Sequence, residues 1–217
     1  MNNNQSRQPP AGFVRVRLWD LPTRLFHWLL AICVGVGWWL GDNRSFTTIE
    51  YHFYLGYCII GLLLFRLLWG IIGPRNVRLT ALVPTPAAVL RYARTVPDRS
   101  PSGTPGHNPL GALSVSAMLL SMIVQVASGL FAEDDGLFAA GPLSVYAPGW
   151  LVLRMNSIHS FNSNILLALI ALHVSAALFY LIWKRENLIS AMVTGLKLVR
   201  ANTSSSDRDA NEDVGRV

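Results

Sequence analysis

Residues 155–183 read MNSIHSFNSNILLALIALHVSAALFYLIW. The run holds no charged residue and exceeds the about 20 apolar residues that a transmembrane helix needs. Its two histidines, His159 and His173, are 14 residues apart. At about 100° and 1.5 Å per residue they share one face within about 40° and differ in height by roughly 21 Å. One helix thus presents two imidazoles to the same side, near opposite leaflets. Two metal centres stacked across a bilayer need that geometry. Histidines that only hydrogen-bond a neighbouring helix are the plainer reading, so partners elsewhere in the chain decide. Ionisable groups inside a membrane are costly and mark function more often than not.

The composition agrees with a membrane protein. Of 217 residues, 52% are hydrophobic and only 14% are charged, which is unlike a soluble domain. Cys33 and Cys58 lie in apolar runs, and no CxxC or CxxCH occurs, so neither a zinc ribbon nor covalent haem attachment is indicated. Residues 1–12 are polar and lack the apolar core of a signal peptide.

Outward from the opening stretch, three further apolar runs appear. The expected helices cover about 25–41, 51–72, 110–131 and 155–183. Residues 13–24, with Arg15, Arg17 and Arg24 among apolar neighbours and Trp19 beside them, suit a membrane interface. Residues 86–96 and 187–200 read as amphipathic surface helices. The acidic run Glu133–Asp135 lies in the loop before the last span and would steer a basic partner or merely be solvated. The chain divides into a polar tail at 1–14, a membrane domain at 15–200 and a polar tail from 201 expected to be disordered. Lys and Arg number four in 1–24, five in 73–109 and six from Lys184 onward, against Arg44 and Arg154 on the opposite side. By the positive-inside rule both termini are cytoplasmic and the spans are even in number. The formal charge of +6 is therefore an orientation signal and not a nucleic-acid footprint.

The five histidines are His27, His52, His107, His159 and His173. His52 and His159 fall near the outer ends of their helices, and His27 and His173 lie lower. The natural pairs are His52 with His159 and His27 with His173. Zinc wants three or four ligands at one point, whereas these residues come in twos at different depths. A porphyrin supplies four nitrogens itself, so two imidazoles complete a haem iron. Gly56, one turn after His52, leaves room for a flat ligand. Arg24, one turn before His27, is placed to pair with a haem propionate. Arg66 is 14 residues after His52 on the same face and lies near the inner centre, with a snorkelling cation as its plain alternative. His107 fits neither pair. Its options are a helix cap, a propionate contact or a proton relay, with a titration near the ordinary pH of about 6.5.

The stretches LWDLPTRLFHW, HFYLGYCIIGLLLFRLLWGIIGPR, GHNPLGALSVSAMLLSMIVQVASGLF and LHVSAALFYLIWKRENLISAMVTG together resemble the bacterial cytochrome b561 and nickel–iron hydrogenase cytochrome b-subunit family. The resemblance covers roughly 15–197. It implies an all-α four-helix membrane bundle with two stacked haem b groups in the bacterial inner membrane. It also implies that His27, His52, His159 and His173 ligate iron, and that electrons pass between the quinone pool and a partner redox protein. That partner would be a periplasmic c-type cytochrome or a hydrogenase-like subunit. An electron-transfer subunit is thus expected ahead of two alternatives, a stand-alone quinone-linked oxidoreductase acting on superoxide and a haem-free membrane anchor.

Overall fold

The computed structural model describes residues 13–99, 106–134 and 136–200. A short strand β1 (Phe13–Arg17) leads into α1 (Leu21–Asp42), and a tight turn carries the chain into α2 (Phe46–Ile72). Two 3₁₀ turns precede the short α3 (Pro86–Ala93), which is followed by α4 (Pro109–Gly129). A two-residue ladder, β2 (Glu133–Asp134) against β3 (Ala139–Ala140), stands before α5 (Gly149–Ile182). Helix α6 (Leu188–Thr194) and strand β4 (Leu196–Arg200) close the described chain.

Helices α1, α2, α4 and α5 are each long and apolar enough to cross a membrane. Their outward faces leave large apolar side chains such as Ile32, Leu68, Leu120 and Leu172 exposed, a surface that lipid and not water accepts. The chain is a multi-pass membrane protein. Local chemistry starts each span. Asp20 caps α1 by accepting from Thr23 N at 3.2 Å, with Pro22 in the first turn. Ser45 and Thr48 form a reciprocal capping box on α2. Asn108 caps α4, accepting from Gly111 N at 2.8 Å.

The bundle packs as two hairpins, α1 on α2 and α4 on α5, joined where α2 meets α4. Its central core draws on all four spans: Phe26 and Leu30, Leu63, Met122 and Leu166. Leu166 lies seven residues from each of His159 and His173, so an apolar layer separates the two histidine depths. The first and last described residues sit at one end of the bundle, here the terminal end. The α1–α2 and α4–α5 connections sit at the other, the far end.

Two expectations change at the ends of the chain. Residues 187–200 do not form one surface helix. Helix α6 stops at Gly195, which adopts a left-handed φ of 80°, and β4 then pairs antiparallel with β1, setting Arg15 opposite Leu198 and Arg17 opposite Leu196. Alternation in FVRVR and LKLVR suits a strand once each has the other as partner. The span α5 begins at Gly149, six residues before the expected 155, and α1 begins at Leu21. Arg24 therefore lies within the first helix and not in an interfacial segment before it. The tails at 1–12 and from 201 lie outside the described residues.

The terminal end is closed by a second cluster of Leu18, Trp19, Val77 and Ala191. Polar ties hold it. Trp69 Nε1 donates to Asp20 Oδ2 at 2.8 Å, and Lys197 pairs with Glu186 at 2.5 Å, both buried. Tyr180 of α5 links Tyr92 of α3, at 2.7 Å between hydroxyls, to Asn108 at 3.0 Å.

Candidate functional site: two histidine pairs

The far pair joins α2 to α5. The His52 and His159 ring centroids are 6.0 Å apart with planes at 81°. His52 Nδ1 lies 2.8 Å from Gly37 O, and His159 Nδ1 lies 2.9 Å from Gln125 O. A carbonyl only accepts, so each contact assigns the ring proton to Nδ1 and leaves Nε2 with its lone pair. Both rings press on helix backbone where a Cβ is missing. A Cβ on Gly41 would meet His52 Cε1 at 3.1 Å, and one on Gly129 would meet His159 Cε1 at 2.9 Å. The two imidazoles line a cavity of about 550 Å³, a volume in the range of cofactor sites. Gly56 lines it too, with nothing within 4 Å of where its Cβ would stand. Arg44 at the mouth pairs with Asp134 at 2.9 Å.

The terminal pair joins α1 to α5. The His27 and His173 centroids are 6.4 Å apart with planes at 49°. The surroundings are polar and incomplete. Among the described residues, the buried side-chain polar atoms without a hydrogen-bond partner are Thr23 Oγ1, Arg24 Nε, His27 Nδ1, Arg66 Nη1, His107 Nδ1 and Ser114 Oγ. All belong to the first two turns of α1 or α4, the last two turns of α2 or the residues just before α4, at this one end. Arg66 is buried, 7% exposed, so the snorkelling alternative for it is corrected: its guanidinium turns into the bundle and not out to water. Arg24 Nη1 donates to Thr194 O at 2.9 Å, which ties α1 to α6 and leaves Nε for another acceptor.

His107 stacks on Trp19 with centroids 4.7 Å apart. The helix-cap option for it is corrected, because Asn108 fills that position. Titration near its ordinary value is corrected as well. Burial, reinforced by the Arg66, His173 and His27 charges, lowers its pKa to about 4, so it is neutral at neutral pH.

Each pair has the ring separation that one haem iron would need. An imidazole nitrogen bonds a metal at about 2 Å, and the ring centre lies roughly 1 Å behind it, so two imidazoles on opposite sides of one ion hold their centroids about 6 Å apart. Both observed separations match. Among the described residues no three His, Cys, Asp or Glu side chains gather around one point, so two imidazoles per site are what the chain offers. The unpartnered Arg24 and Arg66 nitrogens suit the carboxylates that a haem carries.

Sequence reasoning passed over Gln125, Ser128 and Asn162, and the cradle glycines Gly41 and Gly129. A signal was present: Gln125 and Asn162 are amides inside otherwise apolar spans, where polar side chains need partners. Which helix each would face was not readable from the chain alone.

A membrane bundle with two facing pairs of histidines is the architecture of a b-type membrane cytochrome. Residues 18–195 match the prokaryotic cytochrome b561 family, and the chain belongs to that family. It is 25% identical over 211 residues to the probable Ni/Fe-hydrogenase 1 B-type cytochrome subunit of Escherichia coli strain K12, covering 83% of this chain and 89% of that one. The probable Ni/Fe-hydrogenase B-type cytochrome subunit of Azotobacter vinelandii is 26% identical over 225 residues, covering 85% and 89%. The chain is thus similar, over nearly its whole length, to B-type cytochrome subunits, and it is a membrane cytochrome b in electron transfer.

Proposed function

We propose that this cytochrome holds two haem b groups, one between His52 and His159 and one between His27 and His173. In this reading it passes electrons across the bacterial inner membrane between the quinone pool and a partner redox protein. Both termini lie in the cytoplasm, as the arginine count supports, so the far pair faces the periplasm. The observation that carries the reading is two imidazole pairs at two depths, each spaced for one iron.

Haem iron supplies one-electron chemistry at each site. The chain's own residues do the rest. Gly37 O and Gln125 O orient the far imidazoles. Arg24 and Arg66 balance carboxylate charge at the terminal end. The Phe26, Leu30, Leu63, Met122 and Leu166 layer keeps water from the path between the two. The relatives' names support a hydrogenase-like partner; in this reading it docks at the periplasmic face, with a c-type cytochrome as the other candidate, and neutral His107 supports the cytoplasmic centre without ligating iron. A pyridine haemochrome assay on pure protein tests the reading and should return two haems b per polypeptide. One or none overturns it.

A further inference from the structure

We infer that Gln125 and Asn162 form a positioning clamp on His159, which holds its imidazole nearly perpendicular to that of His52 and thereby sets the ligand-plane angle and the redox potential of the far-end haem. The inference rests on the two-haem reading.

The clamp lies in the α4–α5 contact. Asn162 is buried, 7% exposed, as is Ser121. Asn162 Nδ2 donates to Ser121 O at 2.9 Å and to Gln125 Oε1 at 2.7 Å. Its Oδ1 accepts from Ser121 Oγ at 3.0 Å. Ser121 O is a main-chain carbonyl that only accepts, which leaves one orientation for the Asn162 amide. That orientation makes the near atom of Gln125 an oxygen, so Gln125 Nε2 points at His159. It donates to His159 O at 3.1 Å and lies 3.2 Å from His159 Nε2. The main chain of the same residue takes the His159 Nδ1 proton, with Ser128 Oγ 3.3 Å from that nitrogen.

Through its carbonyl and its side-chain amide, one residue therefore holds Nδ1 of the ring and the backbone behind it, contacts that do not depend on Nε2. The ring cannot turn without breaking contacts in an apolar span, where an unpaired polar group is costly. Gly129 allows the close approach, since a Cβ there would meet the ring. When Nε2 gives its lone pair to iron, Gln125 Nε2 keeps His159 O as acceptor, and Asn162 still holds the amide. The plane angle of 81° is thus set by α4, a helix that contributes no histidine to either pair. Ser157 makes a clean contrast. It stands on the same helix outside that cavity and donates to Leu153 O of its own helix at 3.0 Å.

The test uses the full-length haem-loaded protein with Asn162→Leu, Gln125→Leu and, as control, Ser157→Ala. Electron paramagnetic resonance of the ferric protein reports the plane angle, because near-perpendicular imidazoles give a strongly anisotropic low-spin signal. Redox titration gives the potential of each haem. The expected result is a far-end signal shifted beyond its wild-type line width and a displaced far-end potential in both clamp variants. The terminal-end signal should stay in place, and Ser157→Ala should match wild type. Loss of the far-end haem alone also supports the clamp, since the surviving haem shows an intact bundle. Two haems with wild-type signals and potentials in both clamp variants overturn it. If Asn162→Leu loses both haems, Gln125→Leu and Ser121→Ala decide, and wild-type behaviour in both overturns the inference. Failure of the two-haem reading would appear separately, as fewer than two low-spin centres in the unaltered protein.

Discussion

At the far end, both imidazoles give their Nδ1 protons to main-chain carbonyls, Gly37 O and Gln125 O. At the terminal end, His27 Nδ1 has no hydrogen-bond partner, and two arginines nearby keep unpartnered buried nitrogens. The far site is finished by the fold: backbone and amides orient the rings before any cofactor arrives. The terminal site is finished by charge, and its buried cations call for an anion. The charges differ in sign as well. Asp42, Glu133 and Asp134 line the far cavity with Arg44, while Arg24 and Arg66 stand at the terminal end. A nearby cation favours the reduced, less positive iron. The terminal haem is therefore expected to titrate at the higher potential, and equal or inverted potentials in a redox titration would break the comparison.

The largest expected effects separate the sites. His52→Ala should abolish the far centre and leave the terminal spectrum, and His27→Ala should do the reverse. Reduced-minus-oxidised spectra with haem quantitation read this directly. His159→Ala and His173→Ala act on the helix shared by both sites and should be more damaging. Loss of one spectral component by both His27→Ala and His52→Ala would mean the pairs are wrongly drawn.

Packing comes next. Gly129→Ala puts a Cβ 2.9 Å from His159 Cε1, and overpacking of this kind costs about 1–3 kcal/mol. Far-haem retention should fall while the terminal haem stays. Gly56→Ala meets nothing within 4 Å in the protein, so its fold should be unaffected. Any loss of far haem in that variant would report contact with the porphyrin itself, read as haem content against thermal stability.

Removing a cation sharpens the electrostatic half. Arg66→Met should lower the terminal-end potential and leave the far end alone. A charge interaction on the order of 1–2 kcal/mol corresponds to ~40–90 mV. No shift on titration would place Arg66 outside the terminal site's field.

The smallest effect belongs to His107. Its folded pKa of about 4 lies below the ordinary 6.5, so the unfolded chain binds the proton more readily. Stability is then full above about pH 6.5 and declines as pH falls toward 4. His107→Gln should keep both haems and flatten that decline in thermal unfolding measured across the window. An unchanged slope would assign the acid sensitivity to other groups.

Much of this was legible in the chain. Four apolar runs announced four spans, and 14 residues between His159 and His173 announced two depths on one face. Height alone then paired His52 with His159 and His27 with His173, and the structure brings those same rings together. The second strand was hidden because LKLVR alternates only weakly and its partner FVRVR lies near the opposite end of the chain. The His107 titration was hidden because desolvation belongs to the folded environment, here Trp19, Arg66 and the terminal cluster, and not to the residue.

The sequence by itself determined the solvent, the number of spans and the depth of each imidazole. These follow from hydropathy and from the fixed rise and turn of a helix, which act locally. Only the tertiary structure decided which faces meet. It put Gln125 and Asn162 against His159, buried Arg66 instead of letting it reach water, and closed the terminal end with two strands from opposite ends of the domain. Those choices depend on side chains from separate helices fitting and satisfying one another at once, a condition that no single segment carries.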